Sequence, residues 1–128
     1  MRWVVPFPPG GGVDIVARLI AARLSESEGK PFVVENIVGG SGVVGSAAVA
    51  RADPDGHTLL FQTYSSAVVN PAVMRNLPYD PIAAFAPISL VAMLPMLIVV
   101  NPSVPARDIH ALLALLRANP GRDRKSVV

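Results

Sequence analysis

The chain of 128 residues contains no cysteine, so disulfides and thiolate metal sites are excluded. Aromatic residues make up 5% and charged residues 16%, with a formal net charge of only +2. A nucleic-acid binder needs a basic stripe or stacking rings. The basic residues are scattered instead, apart from Arg122, Arg124 and Lys125 near the end, so no nucleic-acid partner is expected. Long apolar runs are lacking too: the longest, Ala86 to Val100, is interrupted by Pro87, Ser89 and Pro95. It falls short of the ~20 apolar residues a membrane helix needs and reads as two buried strands. What the chain does have is apolar bulk, 52% of its residues, with a mean hydropathy of +0.49. That excludes disorder and suits one core-bearing domain.

Strand and helix patterns alternate. Trp3 to Phe7 is a short apolar run closed by Pro8-Pro9-Gly10-Gly11-Gly12. Ile15, Val16, Leu19, Ile20 and Leu24 then recur at helical spacing, with Asp14 in the first turn, Arg18 four residues on, and Gly29 as the stop. Phe32 to Asn36 reads as a second strand, Gly39 to Gly42 as a turn, and Val43 to about Arg51 as a short helix. Asp53-Pro54-Asp55-Gly56 is a turn, and Thr58 to Gln62 a third strand. Repeated units of this kind build a parallel sheet with helices on its faces, and ligands sit beyond the carboxyl ends of the strands. From Tyr64 to Phe85 the pattern is irregular; strands are expected at Ile88 to Ala92 and Met96 to Val100. A last helix opens at Asp108, with Ile109, Leu112, Leu113 and Leu116 on one face and Asn119-Pro120-Gly121 at its end. No strand follows to cover that face, so the sequence reads as part of a larger fold.

Three segments are candidates for binding chemistry. In the first, Phe7, Pro9, Gly10, Gly11 and Gly12 lie between strand and helix, where free amides at a helix start favour an anion. It lacks the Gly-Lys-Ser/Thr of a nucleotide P-loop, and a tight turn explains the same glycines equally well. The second, Gly40-Ser41-Gly42-Val43-Val44-Gly45, matches the dinucleotide pattern G-x-G-x-x-G. The acidic residue that pattern wants at the end of the next strand is absent; Gln62 and Thr63 stand there. The third is the loop Thr63-Tyr64-Ser65-Ser66. The hydroxyls of Thr63, Ser65 and Ser66 and free N–H groups there are expected to face the same crevice and hydrogen-bond a carboxylate, although hydroxyls are also common in plain polar loops. Catalytic sets are poor. His57 and His110 share no metal spacing, and Ser41 is not in a G-x-S-x-G elbow. Asp14 reads as a helix-start lock and Glu35 as a strand-end residue. No metal, cofactor or enzymatic activity is expected; the alternative reading is a nucleotide-binding α/β enzyme fragment using Gly40 to Gly45.

The run Val4 to Arg18, with its Pro8-Pro9-Gly10-Gly11-Gly12-Val13-Asp14, closely resembles the opening of the Bug family, the extracytoplasmic solute-binding proteins of tripartite tricarboxylate transporters. The likeness continues through Val34-Glu35-Asn36, Gly39 to Gly45, Asp53 to Leu59, Asn70-Pro71, Leu77 to Pro81, Phe85 to Ile88 and Val99 to Ser103. It implies an α/β chain, the first lobe of a two-lobed periplasmic-binding-protein-like (Venus-flytrap) fold of about twice this length. By the same resemblance the protein is periplasmic and monomeric, works with transporter membrane subunits, and binds a small carboxylate. The family's ligands include di- and tricarboxylates, acidic amino acids and aromatic acids, held largely by backbone N–H groups and ordered water. Carried over by position, the binding loops are Phe7 to Gly12 and Thr63 to Ser66, while Gly40 to Gly42 shapes a neighbouring helix start. The first lobe is expected over residues 1–100, and the crossover with the first helix of the second lobe over 101–122. Ile37-Val38 stands where the family often has Arg-Pro, and no export signal precedes Trp3. Residues 123–128, Asp-Arg-Lys-Ser-Val-Val, are what a common sequencing adapter encodes in frame and read as an artefact. Sequencing the source locus is expected to show different codons there; finding these six in the genome contradicts that reading.

Overall fold

The computed structural model describes residues 1–95 and 97–120, so the expected artefact at 123–128 lies outside the described residues. The chain divides into two compact units, Met1–Ile88 and a second that begins at Ser89.

In the first unit, β1 (Arg2–Val5), β2 (Val33–Asn36) and β3 (Thr58–Leu60) form a parallel sheet in the order β2-β1-β3. Val5 lies opposite Asn36, and Arg2 opposite both Val33 and Thr58, so the three carboxyl ends finish together. Helix α1 (Gly12–Glu28) links β1 to β2; a 3-10 turn (Gly40–Gly42) and α2 (Val43–Ala50) link β2 to β3. Alternation along β1 sends successive side chains to opposite faces. Trp3 and Val5 meet Ala17 and Ala21 of α1, while Pro6 meets Gly45 of α2. The helices therefore cover opposite faces, and the winding reverses between β1 and β3.

The α1 core is built from Trp3, Val5, Ala17 and Ala21, with Val13, Ile20, Leu24, Phe32, Val34, Leu59 and Phe61 packed around it. Trp3 stacks on Phe61 and meets Phe32 edge-on, both at 5.7 Å between centroids. This corrects the helical face read from the sequence. Ile15 and Leu19 are 58% and 62% exposed, and the buried stripe runs through Val13, Ala17, Ile20, Ala21 and Leu24. Small alanines let the helix axis approach the sheet, so the bulkiest residues need not mark the buried side. Gly29 ends the helix in the left-handed conformation, at φ 63°.

Two other expectations are revised. The segment after β3, read as irregular, contains a wide helical turn (Ser65–Val69) that runs into α3 (Asn70–Val73). Its start signal is unusual: Thr63 and Ser66 cap each other. The strands expected at Ile88 to Ala92 and Met96 to Val100 are not formed among the described residues, and Met96 lies outside them. Ile88, Leu97 and Val99 are largely exposed. An apolar extended run becomes a strand only when a neighbouring ladder accepts its amides and carbonyls. No ladder forms at residues 88–95 or 97–100 among the described residues. In the second unit, α4 (Ile109–Ala118) starts where expected: the Asp108 carboxylate accepts the Ala111 amide at 2.8 Å. No residue of α4 is buried, and no helix among the described residues is long and apolar enough to cross a membrane.

Gly45 is where α2 comes closest to β1. A Cβ there would lie 2.7 Å from both the Ile37 carbonyl oxygen and the Pro6 Cβ. Gly45→Ala is expected to cost about 1–3 kcal/mol through forced backbone shifts. Urea unfolding of the full-length protein checks this: a lowered midpoint with an unchanged slope is expected, and an unchanged midpoint contradicts it.

Candidate functional site

Three loops leave the carboxyl ends of the strands and converge. Gly42 is the meeting point: a Cβ on it would lie 3.2 Å from the Ser66 Cβ, 3.5 Å from the Phe7 ring and 3.6 Å from the Pro6 Cβ. Sheet order 2-1-3 makes the β1/β3 boundary a topological switch point, where the chains following neighbouring strands part and leave a crevice. The segments that follow those two strands are Phe7 to Gly12 and Thr63 to Ser66, the pair selected from the sequence.

The first loop is held by a network around Asp14, which is only 2% exposed. Its carboxylate accepts the Gly10 amide at 2.9 Å, the Asn36 Nδ2 at 2.9 Å, and the Arg18 Nε at 3.0 Å on each oxygen. Asn36 also donates to the Phe7 carbonyl at 3.0 Å and accepts from Arg18 Nη2 at 2.8 Å. Hydrogen bonds from Arg18, then from the Gly10 amide and Asn36, hold the Asp14 carboxyl at about 2, below its ordinary 3.8. Asp14 is thus the helix-start lock read from the sequence. Glu35 instead pairs with Arg2 across the sheet, and that guanidinium lowers its carboxyl pKa.

The network determines which amides remain. The Gly10 N–H goes to Asp14, and the Gly11 N–H makes a long 3.5 Å contact with the Pro8 carbonyl. Helix α1 has no side-chain cap, since its N-cap is Gly11. The amides of Gly12, Val13 and Asp14 consequently have no acceptor among the described residues. Pro9 has no N–H and shapes the exposed rim of the loop. Phe7 is half-buried, its ring against Gly42 and its carbonyl bound to Asn36.

The hydroxyl loop is arranged differently from the sequence expectation. Thr63 Oγ1 accepts the Ser66 amide at 3.3 Å, and Ser66 Oγ accepts the Thr63 amide at 3.1 Å while donating to the Thr63 carbonyl at 3.0 Å. This is a reciprocal capping arrangement. Ser66 is buried inside it, and Ser65 is exposed. The amides of Tyr64 and Ser65, in the opening turn, have no acceptor among the described residues.

The glycine motif at Gly40 to Gly45 does packing work. The Gly42 and Val44 amides both reach the Gly39 carbonyl, at 3.0 and 3.3 Å, and Val43 donates to Gly40. Ser41 adopts φ 54°, rare for a side-chain-bearing residue, with its carbonyl tied by Asn70 Nδ2 at 2.9 Å. Sequence reasoning missed the roles of Asn36 and Asn70. Each acts 29 residues away, on Phe7 and Ser41, beyond the reach of any local pattern. Elsewhere, a cavity of about 750 Å³ lies along Val100 to Asp108 and Ala111 in the second unit, and none of the expected site residues lines it. Among the described residues no three His, Cys, Asp or Glu side chains gather to hold a metal.

Residues 16–126 match the family model described as the tripartite tricarboxylate transporter family receptor. The chain belongs to that family. Three solved relatives share its fold. An R. palustris protein with adipate is 39% identical, with a TM-score of 0.83 over 93% of this chain and 40% of that one. MatC from Rhodopseudomonas palustris with bound malate is 33% identical, with a TM-score of 0.82 over 91% and 40%. The periplasmic binding protein BugD is 36% identical, with a TM-score of 0.76 over 92% and 39%. The receptor-family chain thus has the α/β architecture of part of a periplasmic binding protein. It spans 36% and 37% of the length of two curated relatives that are 45% and 38% identical to it.

The Asp14 carboxyl titrates lower in the folded chain than its ordinary 3.8, so its network adds stability above pH about 4 and loses it as the pH falls towards 2. Melting temperatures of the full-length protein across that window are expected to fall more steeply for wild type than for Asp14→Asn. Parallel curves contradict an ionised Asp14 lock.

Proposed function

We propose that the chain is the first lobe of a solute-binding protein that captures a small organic acid and delivers it to the membrane subunits of a tripartite tricarboxylate-type transporter. In this reading the lobe occupies residues 1–100, and residues 101–122 lead into a second lobe that closes over the ligand. The protein acts in the periplasm as a monomer, without catalysing a reaction and without a cofactor. The observation that carries the reading is the uncapped opening of α1, where the Gly12 and Val13 amides have no acceptor among the described residues and lie at the switch point of the sheet. A carboxylate is the natural acceptor for such amides, because the helix dipole and the N–H groups both favour negative charge. The Tyr64 and Ser65 amides extend the donor set on the neighbouring loop. The relatives solved with adipate and malate carry ligands of this chemical class.

A cation is not needed to offset desolvation if several hydrogen bonds converge on the carboxylate. Arg18 is turned towards Asp14 and Asn36 rather than offered to a ligand. Selectivity among acids then falls to the second lobe and to the spacing between the ligand's polar groups.

The test is a thermal-shift panel on the full-length protein with di- and tricarboxylates, acidic amino acids, aromatic acids, NAD and ATP. One carboxylate is expected to raise the midpoint; a response confined to nucleotides overturns the reading and favours a nucleotide site at Gly40 to Gly45. A backbone variant sharpens it. Gly11 sits at φ −72°, ψ 161°, the conformation a residue before proline prefers, and position 12 opens the helix, where proline is tolerated. Gly12→Pro therefore removes one amide while keeping the helix. Losing a charge-assisted hydrogen bond is expected to weaken carboxylate binding by roughly tenfold to a hundredfold, with Gly12→Ala much closer to wild type. Equal affinities for the two variants, read by calorimetry, contradict the role of that amide.

A further inference from the structure

We propose that Asn36 is a positioning residue for the ligand carboxylate: from the end of β2 it sets the shape of the Phe7 to Gly12 loop without touching the ligand. This role presupposes that the loop receives a carboxylate, as proposed above. Glycines 10, 11 and 12 give the loop unusual backbone freedom, and ordering such a segment at the moment of binding subtracts from affinity. The loop must therefore be ordered beforehand by its surroundings. Among the described residues, the Asn36 Nδ2 bond to the Phe7 carbonyl, at 3.0 Å, is the only hydrogen bond tying Phe7 to Gly12 to another strand. The same nitrogen reaches Asp14 Oδ1 at 2.9 Å, and Asp14 in turn holds the Gly10 amide. One side chain thus fixes the beginning of the loop directly and its middle through Asp14.

The chemistry selects asparagine. Two N–H donors are required on the side facing the Phe7 carbonyl and the Asp14 carboxylate, and an acceptor on the side facing Arg18 Nη2, 2.8 Å away. Aspartate would set a second carboxylate against Asp14. Alanine would leave the Phe7 carbonyl unpaired and take one donor from Asp14. Serine is too short to span from the Phe7 carbonyl to Arg18.

The experiment uses the full-length protein and the carboxylate that gives the largest shift in the panel above. Calorimetry compares wild type, Asn36→Ala and Ala21→Gly, the last lowering stability in the α1 core away from the loop. Asn36→Ala is expected to bind about tenfold more weakly. Ala21→Gly is expected to stay within about twofold of wild type despite a lower melting temperature, because each affinity is read well below that temperature. A Kd for Asn36→Ala within twofold of wild type overturns the positioning role and leaves the carboxylate reading intact. Equal weakening by Ala21→Gly also overturns it, since the loss then follows stability. If wild type binds no member of the panel, the carboxylate reading fails and this role fails with it. Should Asn36→Ala not fold, Asn36→Ser is read in its place, with the same expected loss and the same overturning result.

Discussion

An ionised carboxylate lies almost fully buried at the opening of α1, and the surrounding structure is arranged to satisfy it. Removing such a group from water is costly unless hydrogen bonds and an opposite charge replace the solvent. Asp14 receives them from three directions: the loop before it, its own helix through Arg18, and the neighbouring strand through Asn36. Each partner is fixed in turn, so the junction of β1, α1 and β2 is set as a unit. The glycine loop, which would otherwise be the loosest part of the lobe, is ordered by this junction rather than by its own side chains.

That arrangement separates two negative charges by function. Asp14 is the resident anion, with Arg18 balancing it and the Gly10 amide bound to it. The Gly12 and Val13 amides, one step further along the same helix start, have no acceptor among the described residues, and in the proposed function they receive the ligand. The neighbouring loop repeats the design in neutral form, its Thr63–Ser66 cap using hydroxyls inward and leaving the Tyr64 and Ser65 amides. The third helix start closes on itself through the Gly39 carbonyl, and Gly42 and Gly45 admit Phe7, Ser66 and Pro6 at close range. A glycine pattern that matches a nucleotide fingerprint by spacing is here explained by helix–strand contact.

How much of this was legible in the sequence depends on the range of each interaction. Helices α1 and α4 were legible because their signals are local: Asp14 and Gly29 for one, Asp108 and Asn119 for the other. The three strands stood out as short apolar runs between glycine and proline turns. The buried face of α1 was misread because Ala17 and Ala21, not Ile15 and Leu19, make the closest approach to the sheet. The 88–100 segment was misread because apolar patterning carries no information on whether a ladder partner is at hand. The helical turn at 65–73 was missed because Ser66 stands where a capping box carries glutamate or glutamine, so the Thr63 start shows only half of the familiar pattern. Both expected loops follow adjacent strands, and free amides were expected in each, but which of their groups are already engaged was not legible. The Ser66 hydroxyl and Gly10 amide proved to be engaged, and Asn36 and Asn70 act across 29 residues.

The central claim is that backbone amides at the start of α1 receive a carboxylate. Amide-resolved NMR of the full-length protein during titration with a bound dicarboxylate tests it most directly. The Gly12 and Val13 amide protons are expected to move downfield together, with Gly10, already bonded to Asp14, moving least in the loop. Perturbations centred on Gly40 to Gly45, with Gly12 and Val13 unmoved, would contradict the account.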